Sequence, residues 1–206
     1  MVAVQRISQL DPSEFTGAMQ AAEKITKVGR DGRMQRHYAT FIHNPYFLER
    51  WARMAGTVVL RNALSNREKM LVVMRLARVM RCAYAWTQRQ AEKDPSVYLP
   101  DLHTKPQDHL SQEEIEVLAR ESPIGAWSRH ESALLAAVHE SWEQGGISSS
   151  TWSILQESLN ETQMYDLVML IGYYLMTMSM INSMGVPNLP DDPAAPWAPI
   201  DNGSPA

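Results

Sequence analysis

The sequence predicts an all-α fold, and three observations carry that prediction. Apolar residues recur at three- and four-residue steps along most of the chain. Several of these runs begin with a Ser or Asn followed three residues later by Glu or Gln, the spacing of a reciprocal helix cap. No stretch alternates with the period of two that a half-buried strand needs.

The elements follow in order. Asp11-Pro12-Ser13-Glu14 is a helix start, with Pro at the first helical position and a carboxylate in the first turn. A short helix is predicted over about 33–42. Asn44-Pro45 starts another that runs to about Ala63 and places Phe47, Trp51, Met54 and Val58 on one face. Ser65 and Glu68 begin a helix at about Asn66, along which Leu71, Met74, Arg75, Arg78 and Cys82 recur at helical steps. This segment, 66–93, reads as one helix or as a pair. Residues 94–110 hold three prolines and no period, and read as an ordered loop. Ser111 and Glu114 cap a helix to about Arg120. Ser128 and Glu131 cap one to about Glu143, stopped by Gly145-Gly146. Thr151–Leu159 is short, and Asn160 and Gln163 start a long final helix closed after Met184 by Gly185 and Pro187. The expectation is one helical domain over 1–186 and a flexible proline-rich tail over 187–206.

Composition narrows the function. All 19 Lys and Arg lie before residue 130, and the net charge of the 206-residue chain is −4, which weighs against a nucleic-acid partner. The single cysteine excludes an intrachain disulfide and fits a reducing, cytoplasmic setting. Residues 1–15 lack the long apolar core of a signal peptide. Leu167–Leu189 carries no charge and is long enough to span a bilayer. However, it contains Thr177, Ser179, Asn182 and Ser183 and has no Lys or Arg at either flank, so burial in a core or an oligomer interface is expected and no membrane. So much uncharged surface on one helix also predicts a homo-oligomer. The 6 histidines show no ligand spacing, and no glycine-rich nucleotide loop occurs, so neither metal nor cofactor is expected.

Residues 64–90, LSNREKMLVVMRLARVMRCAYAWTQRQ, resemble the signature of the carboxymuconolactone decarboxylase / alkylhydroperoxidase D superfamily. There an Arg-Glu-x-Glu helix start leads to Cys-x-x-Cys or to Tyr-Glu-Trp-x-x-His. The resemblance extends from about Arg6 to Pro187, through FIHNPYFLERWARMAGTVV before the signature and LIGYYLMTMSMINSMGVP at the closing helix. It implies an alkylhydroperoxidase-D-like helical bundle, assembled as a dimer or trimer. It also makes 94–110 look like an insertion, since the link is usually shorter. The family often has a helix-breaking glycine near position 81, where this chain has Arg81.

The departures bear on chemistry. In the redox branch a Glu, two Cys and a His form a proton relay and a disulfide. Carried across, these positions are Met70, Cys82, Ala85 and Arg89. In the other branch Tyr84 and Trp86 are kept, but Glu and His are again Ala85 and Arg89. A thioether, a methyl and a guanidinium cannot relay protons near neutral pH.

The remaining candidates each have two readings. Cys82 is either a small core residue or, beside Arg78, Arg81 and Arg89, a nucleophile. Tyr84 and Trp86 either pack in the core or wall a pocket in which Tyr84 donates a proton. Arg89 is either solvated or binds a carboxylate or an oxyanion. Tyr174 and Asn182, two turns apart on the final helix, line a pocket or serve as structural hydrogen-bonding groups. Met70 and Ala85 would shape the site, and His103, with His109, would sit on a lid formed by the insertion.

The leading expectation is a non-redox lyase, isomerase or cyclase acting on a small, oxygenated, partly apolar substrate. Tyr84, Arg89 and Cys82 would be its catalytic candidates. A non-catalytic ligand-binding or scaffolding oligomer is the alternative, and a one-Cys peroxidase using Cys82 is the third.

Overall fold

The structure, a computed structural model, describes residues 5–25, 33–91, 110–125, 127–190, 192 and 194–197. His103 and His109, with most of the expected insertion, lie outside the described residues, as does 198–206. Among those described there is no β-strand. The helices are α1 (Gly17–Glu23), α2 (Arg36–Phe41), α3 (Pro45–Ala55), α4 (Asn66–Val79), α5 (Ala83–Ala91), α6 (Gln112–Leu118), α7 (Arg129–Gln144), α8 (Ser149–Gln156) and α9 (Glu161–Met184).

The predicted caps close as hydrogen-bonded pairs. Ser65, Ser111, Ser128 and Asn160 each accept from the backbone three residues on, and the Glu or Gln there accepts from the cap's own N–H. Asp11 and Glu14 make the same box, but around a single 3-10 turn, Pro12–Glu14. The helix after Asn44-Pro45 is shorter than predicted. It loosens into a π turn over Gly56–Leu60, so the chain reaches the α4 cap with a widened final turn.

The 66–93 segment is a pair of helices, and the break falls at Arg81. Its φ is 52°, in the left-handed region. Cys82 N–H donates to the Ala77 carbonyl at 2.8 Å and Arg81 N–H to Arg78 at 3.1 Å, the bonding of a Schellman cap. Asn182 on α9 fixes the turn from outside, its Nδ2 donating to the Met80 carbonyl at 2.8 Å. The break therefore comes from hydrogen bonding and packing rather than from a glycine. A side chain in this conformation costs roughly 1–2 kcal/mol. Arg81→Gly is expected to raise stability by about 0.5–1 kcal/mol, after the greater unfolded-state entropy of glycine is allowed for. A lower thermal midpoint in the variant would contradict this.

Helix α4 is the central column and contacts α5, α6, α7 and α9. From Leu71 to Ala77 every residue is buried, and each fully buried Leu there contributes roughly 1.5–3 kcal/mol. One of these residues is an arginine. Arg75 is 1% exposed. Its Nη1 donates to the carbonyls of Leu118 and Arg120 at 3.0 and 2.6 Å, Nη2 donates to that of Glu121, and Nε donates to His139 Nε2 at 2.8 Å. Arg78 Nε donates to Ala119. The two guanidiniums thus satisfy the carbonyls left open where α6 ends. Burial, followed by the nearby Arg78 charge, lowers the Arg75 guanidinium to about 10, still cationic at neutral pH.

Helix α9 is long and apolar enough to cross a bilayer, but Leu167, Leu170, Ile171 and Met178 are buried within the bundle. Its other face leaves Tyr165, Val168, Met169 and Met176 exposed. The described part of the proline-rich C-terminal segment is not a free tail. Trp197 packs edge-on to Trp86, with ring centroids 4.8 Å apart, and lies under the Arg78 guanidinium. Indole area this large is more stable covered than solvated.

Candidate functional site

The first structural condition for a site is met by α5 and α9 facing each other. Tyr84, Ala85, Gln88 and Arg89 share one face of α5, and Tyr173, Tyr174, Thr177 and Ile181 share one face of α9. Between them, closed by α2, α3 and the π turn, lies a cavity of about 310 Å³. The π turn supplies Gly56, Val59 and Leu60 to its wall.

The wall carries a cluster of aromatic rings. Trp51 stacks on Tyr173 at 5.7 Å, and Tyr173 meets Tyr174 edge-on at 5.3 Å. Trp51 Nε1 donates to Thr177 Oγ1 at 3.2 Å, which satisfies the indole and fixes its plane. Tyr38 meets Trp51 edge-on at 5.6 Å.

Two polar pairs are set in this wall. On one side His37 Nδ1 and the Tyr84 hydroxyl are 2.9 Å apart. Tyr84 is buried, and loss of solvation holds its phenol well above the usual value, with a hydrogen bond from the His37 backbone working the other way. Burial likewise raises Tyr38, to about 12, and Tyr173. All three phenols therefore carry their protons at neutral pH. If His37 Nδ1 is the acceptor, the Tyr84 proton is engaged. If Nδ1–H is the donor, the Tyr84 proton is free for a ligand oxygen. On the other side an Arg89 Nη2–H donates to the Tyr174 hydroxyl, and the guanidinium lies over that ring, 5.6 Å from its centroid. No Asp or Glu is among the described residues lining the cavity, so its only formal charge among them is the Arg89 cation.

Tyr84, Ala85, Arg89 and Tyr174, all expected at a site from the sequence, line this cavity. Cys82, Trp86, Met70 and Asn182 are not among its lining residues, each for an identifiable reason. Cys82 lies between the left-handed turn at Arg81 and the start of α5, and its side chain is fully buried in the core. Trp86 is 1% exposed and occupied by Trp197. Met70 packs against the core from α4, which lines no part of the cavity. Asn182 is bonded to the end of α4. The solvated reading of Arg89 is likewise replaced by a half-buried side chain held on Tyr174.

Sequence reading missed His37, which comes from α2, 47 residues before its partner Tyr84. It also missed Tyr38, Thr177 and Gln88 as lining residues. No local spacing announces a contact of that range. The signal that existed was a histidine inside a short helix rich in aromatics.

Burial pushes the Cys82 thiol up to about 12. With no solvent exposure, the group is an inert thiol at neutral pH. The native protein is expected to leave Ellman's reagent unreacted until it is unfolded, and to show no dithiol-dependent peroxide turnover. Rapid titration of one thiol under native conditions would refute this.

The fold is that of several solved structures. An alkylhydroperoxidase AhpD core protein from Ralstonia eutropha JMP134, described as an uncharacterized peroxidase-related protein, superposes with a TM-score of 0.66. It shares 14% identity and covers 90% of this chain and 93% of its own. An uncharacterized peroxidase-related protein from Silicibacter sp. TM1040 gives 0.65 at 15% identity, with 91% and 92% covered. A protein of unknown function from Agrobacterium tumefaciens, proposed to be the antioxidant defence protein AhpD, gives 0.55 at 17% identity, with 68% and 89% covered. No protein-family model and no curated protein matches the sequence. The chain has the alkylhydroperoxidase-D-like helical fold.

Proposed function

We propose that this chain is a divergent carboxymuconolactone decarboxylase-like enzyme without the peroxidase relay. It acts as a non-redox lyase, isomerase or cyclase on a small, oxygenated, partly apolar substrate. The observation that carries the reading is the pairing of a proton-bearing phenol–imidazole couple with a guanidinium–phenol couple in one aromatic-walled cavity. The aromatic wall takes the apolar part of the substrate. Arg89 and Tyr174 take a carboxylate or a developing oxyanion, which the absence of lining carboxylates favours. Tyr84 gives a proton to the reacting oxygen or carbon, and His37 resupplies it. The identities of Met70 and Ala85 and the burial of Cys82 all weigh against the one-Cys peroxidase reading.

The exposed apolar face of α9 supports a homo-oligomer, a dimer or trimer, since Tyr165, Val168, Met169 and Met176 form one stripe there. A cytoplasmic location, a small-molecule substrate, and no nucleic-acid or membrane partner complete the reading.

The test is a thermal-shift screen of small keto acids, lactones and aromatic carboxylates, followed by turnover assays on the hits. Tyr84→Phe should keep ligand binding within about threefold and cut turnover roughly 10²–10⁴-fold. A hit that binds the wild type tightly and is never turned over would favour the alternative, a ligand-binding oligomer.

A further inference from the structure

A second polar constellation lies away from the cavity, where the start of α4, the start of α7 and the end of α8 meet. None of these helices lines the cavity. His130 Nε2 is 2.6 Å from Glu68 Oε1, and His130 Nδ1 is 2.8 Å from Ser158 Oγ. The three residues come from positions 62 and 28 apart along the chain, so only the packing of three helices assembles them.

The order of these contacts selects one tautomer of the neutral imidazole. A carboxylate can only accept, so the ring proton sits on Nε2, facing Glu68. That leaves the Nδ1 lone pair facing the Ser158 hydroxyl, as a general base must. Glu68 is itself immobilised, its Oε2 accepting from Ser65 N–H at 2.7 Å in the α4 capping box. The imidazole and the carboxylate are each less than a quarter exposed, whereas Ser158 is open to solvent. The base is therefore sheltered and the nucleophile accessible. The N–H groups of Glu161 and Thr162, in the first turn of α9, have no acceptor within that helix and follow Ser158 by three and four residues. They are candidate donors to an oxyanion formed at Ser158.

We propose that Ser158 is an activated nucleophile, with His130 as its base and Glu68 as the positioning residue, and that it attacks small acyl esters and phosphonyl electrophiles. Ser158 Oγ bonds to the electrophilic carbon as its proton passes to His130 Nδ1. The ester C–O bond then breaks, and the leaving alcohol takes that proton. Water, deprotonated by the same His130, releases the acid and restores the serine. The step is redox-neutral and needs no co-reactant besides the ester and water. It makes no use of the aromatic cavity.

The test is labelling of the intact, folded protein with a fluorophosphonate probe, read by peptide mapping. The probe should modify Ser158, with loss of fluoride. Ser158→Ala, at an exposed position, should fold normally and lose the label, and His130→Gln should lose it too. Glu68→Gln keeps the cap, because glutamine also serves at that position. Its amide can donate to Nε2 and reverse the tautomer, so the labelling rate should fall roughly tenfold or more while the melting temperature stays close to wild type. The proposal is overturned if folded wild-type protein takes no label, if label appears only at other residues and survives Ser158→Ala, or if Glu68→Gln is labelled at the wild-type rate. The first two results leave the three residues as a clamp between helices, and the third removes Glu68 from the arrangement.

Discussion

Replacing Arg75 with alanine is expected to lower the unfolding free energy by roughly 3–5 kcal/mol, a large fraction of a typical domain's stability. The guanidinium is wholly buried and bonds to the carbonyls of Leu118, Arg120 and Glu121 as well as to His139. Truncation leaves those acceptors without their donor and opens a void beside Leu71 and Leu118, so desolvation and cavity costs add. Arg75→Lys should recover little, because one ammonium cannot reproduce the planar fork. Urea midpoints of the variants measure this, and a shift equivalent to less than about 1 kcal/mol would show that the network is dispensable.

The same network gives stability a pH dependence of defined sign. His139 accepts from Arg75, so it must be neutral. Burial first, and the Arg75 charge second, hold its imidazole below the ordinary 6.5, with Glu143 acting in the opposite direction. The folded state therefore binds this proton less readily than the unfolded chain. The His139 contribution is fully present above 6.5 and is lost as the pH falls below it.

Arg89→Ala is expected to weaken binding of an anionic ligand, or to raise the barrier of the reaction it serves, by about 1.5–3 kcal/mol, roughly 10- to 150-fold. Arg89 is the cation among the described lining residues, and no Asp or Glu among them offsets its charge. Arg89→Lys should restore part of the effect. The melting temperature should drop modestly, because the variant also loses the bond to the Tyr174 hydroxyl and the contact with its ring. Calorimetric titration with a hit from the screen checks this, and an unchanged Kd would remove Arg89 from the site.

Four of the residues lining the cavity, Tyr84, Ala85, Arg89 and Tyr174, were legible in the sequence because they lie on single helices. Ala85 and Arg89 are four residues apart, so periodicity alone puts them on one face, and Tyr84 is a position of the family signature. Tyr174 follows from the long capped final helix in the same way. Cys82 shows where this reasoning fails. It would share the face of Ala85 and Arg89 in one continuous helix, but α5 begins only after the left-handed turn at Arg81, and Cys82, outside both helices, is fully buried in the core. That turn lacks the glycine that would have announced it, and it is held by Asn182 from a helix a hundred residues away.

The sequence by itself determined the helical class, the starts of α3, α4, α6, α7 and α9, and the long buried final helix. These depend on caps, breakers and apolar period, which act over three to four residues. Only the tertiary structure decided what those helices enclose. It brought His37 to Tyr84 and Arg89 to Tyr174, turned Cys82 into the core, buried Arg75 as a donor to another helix's carbonyls, and assembled Ser158, His130 and Glu68. Each of these contacts joins residues dozens of positions apart. Their formation depends on how whole helix faces pack, and that is not encoded in any local spacing.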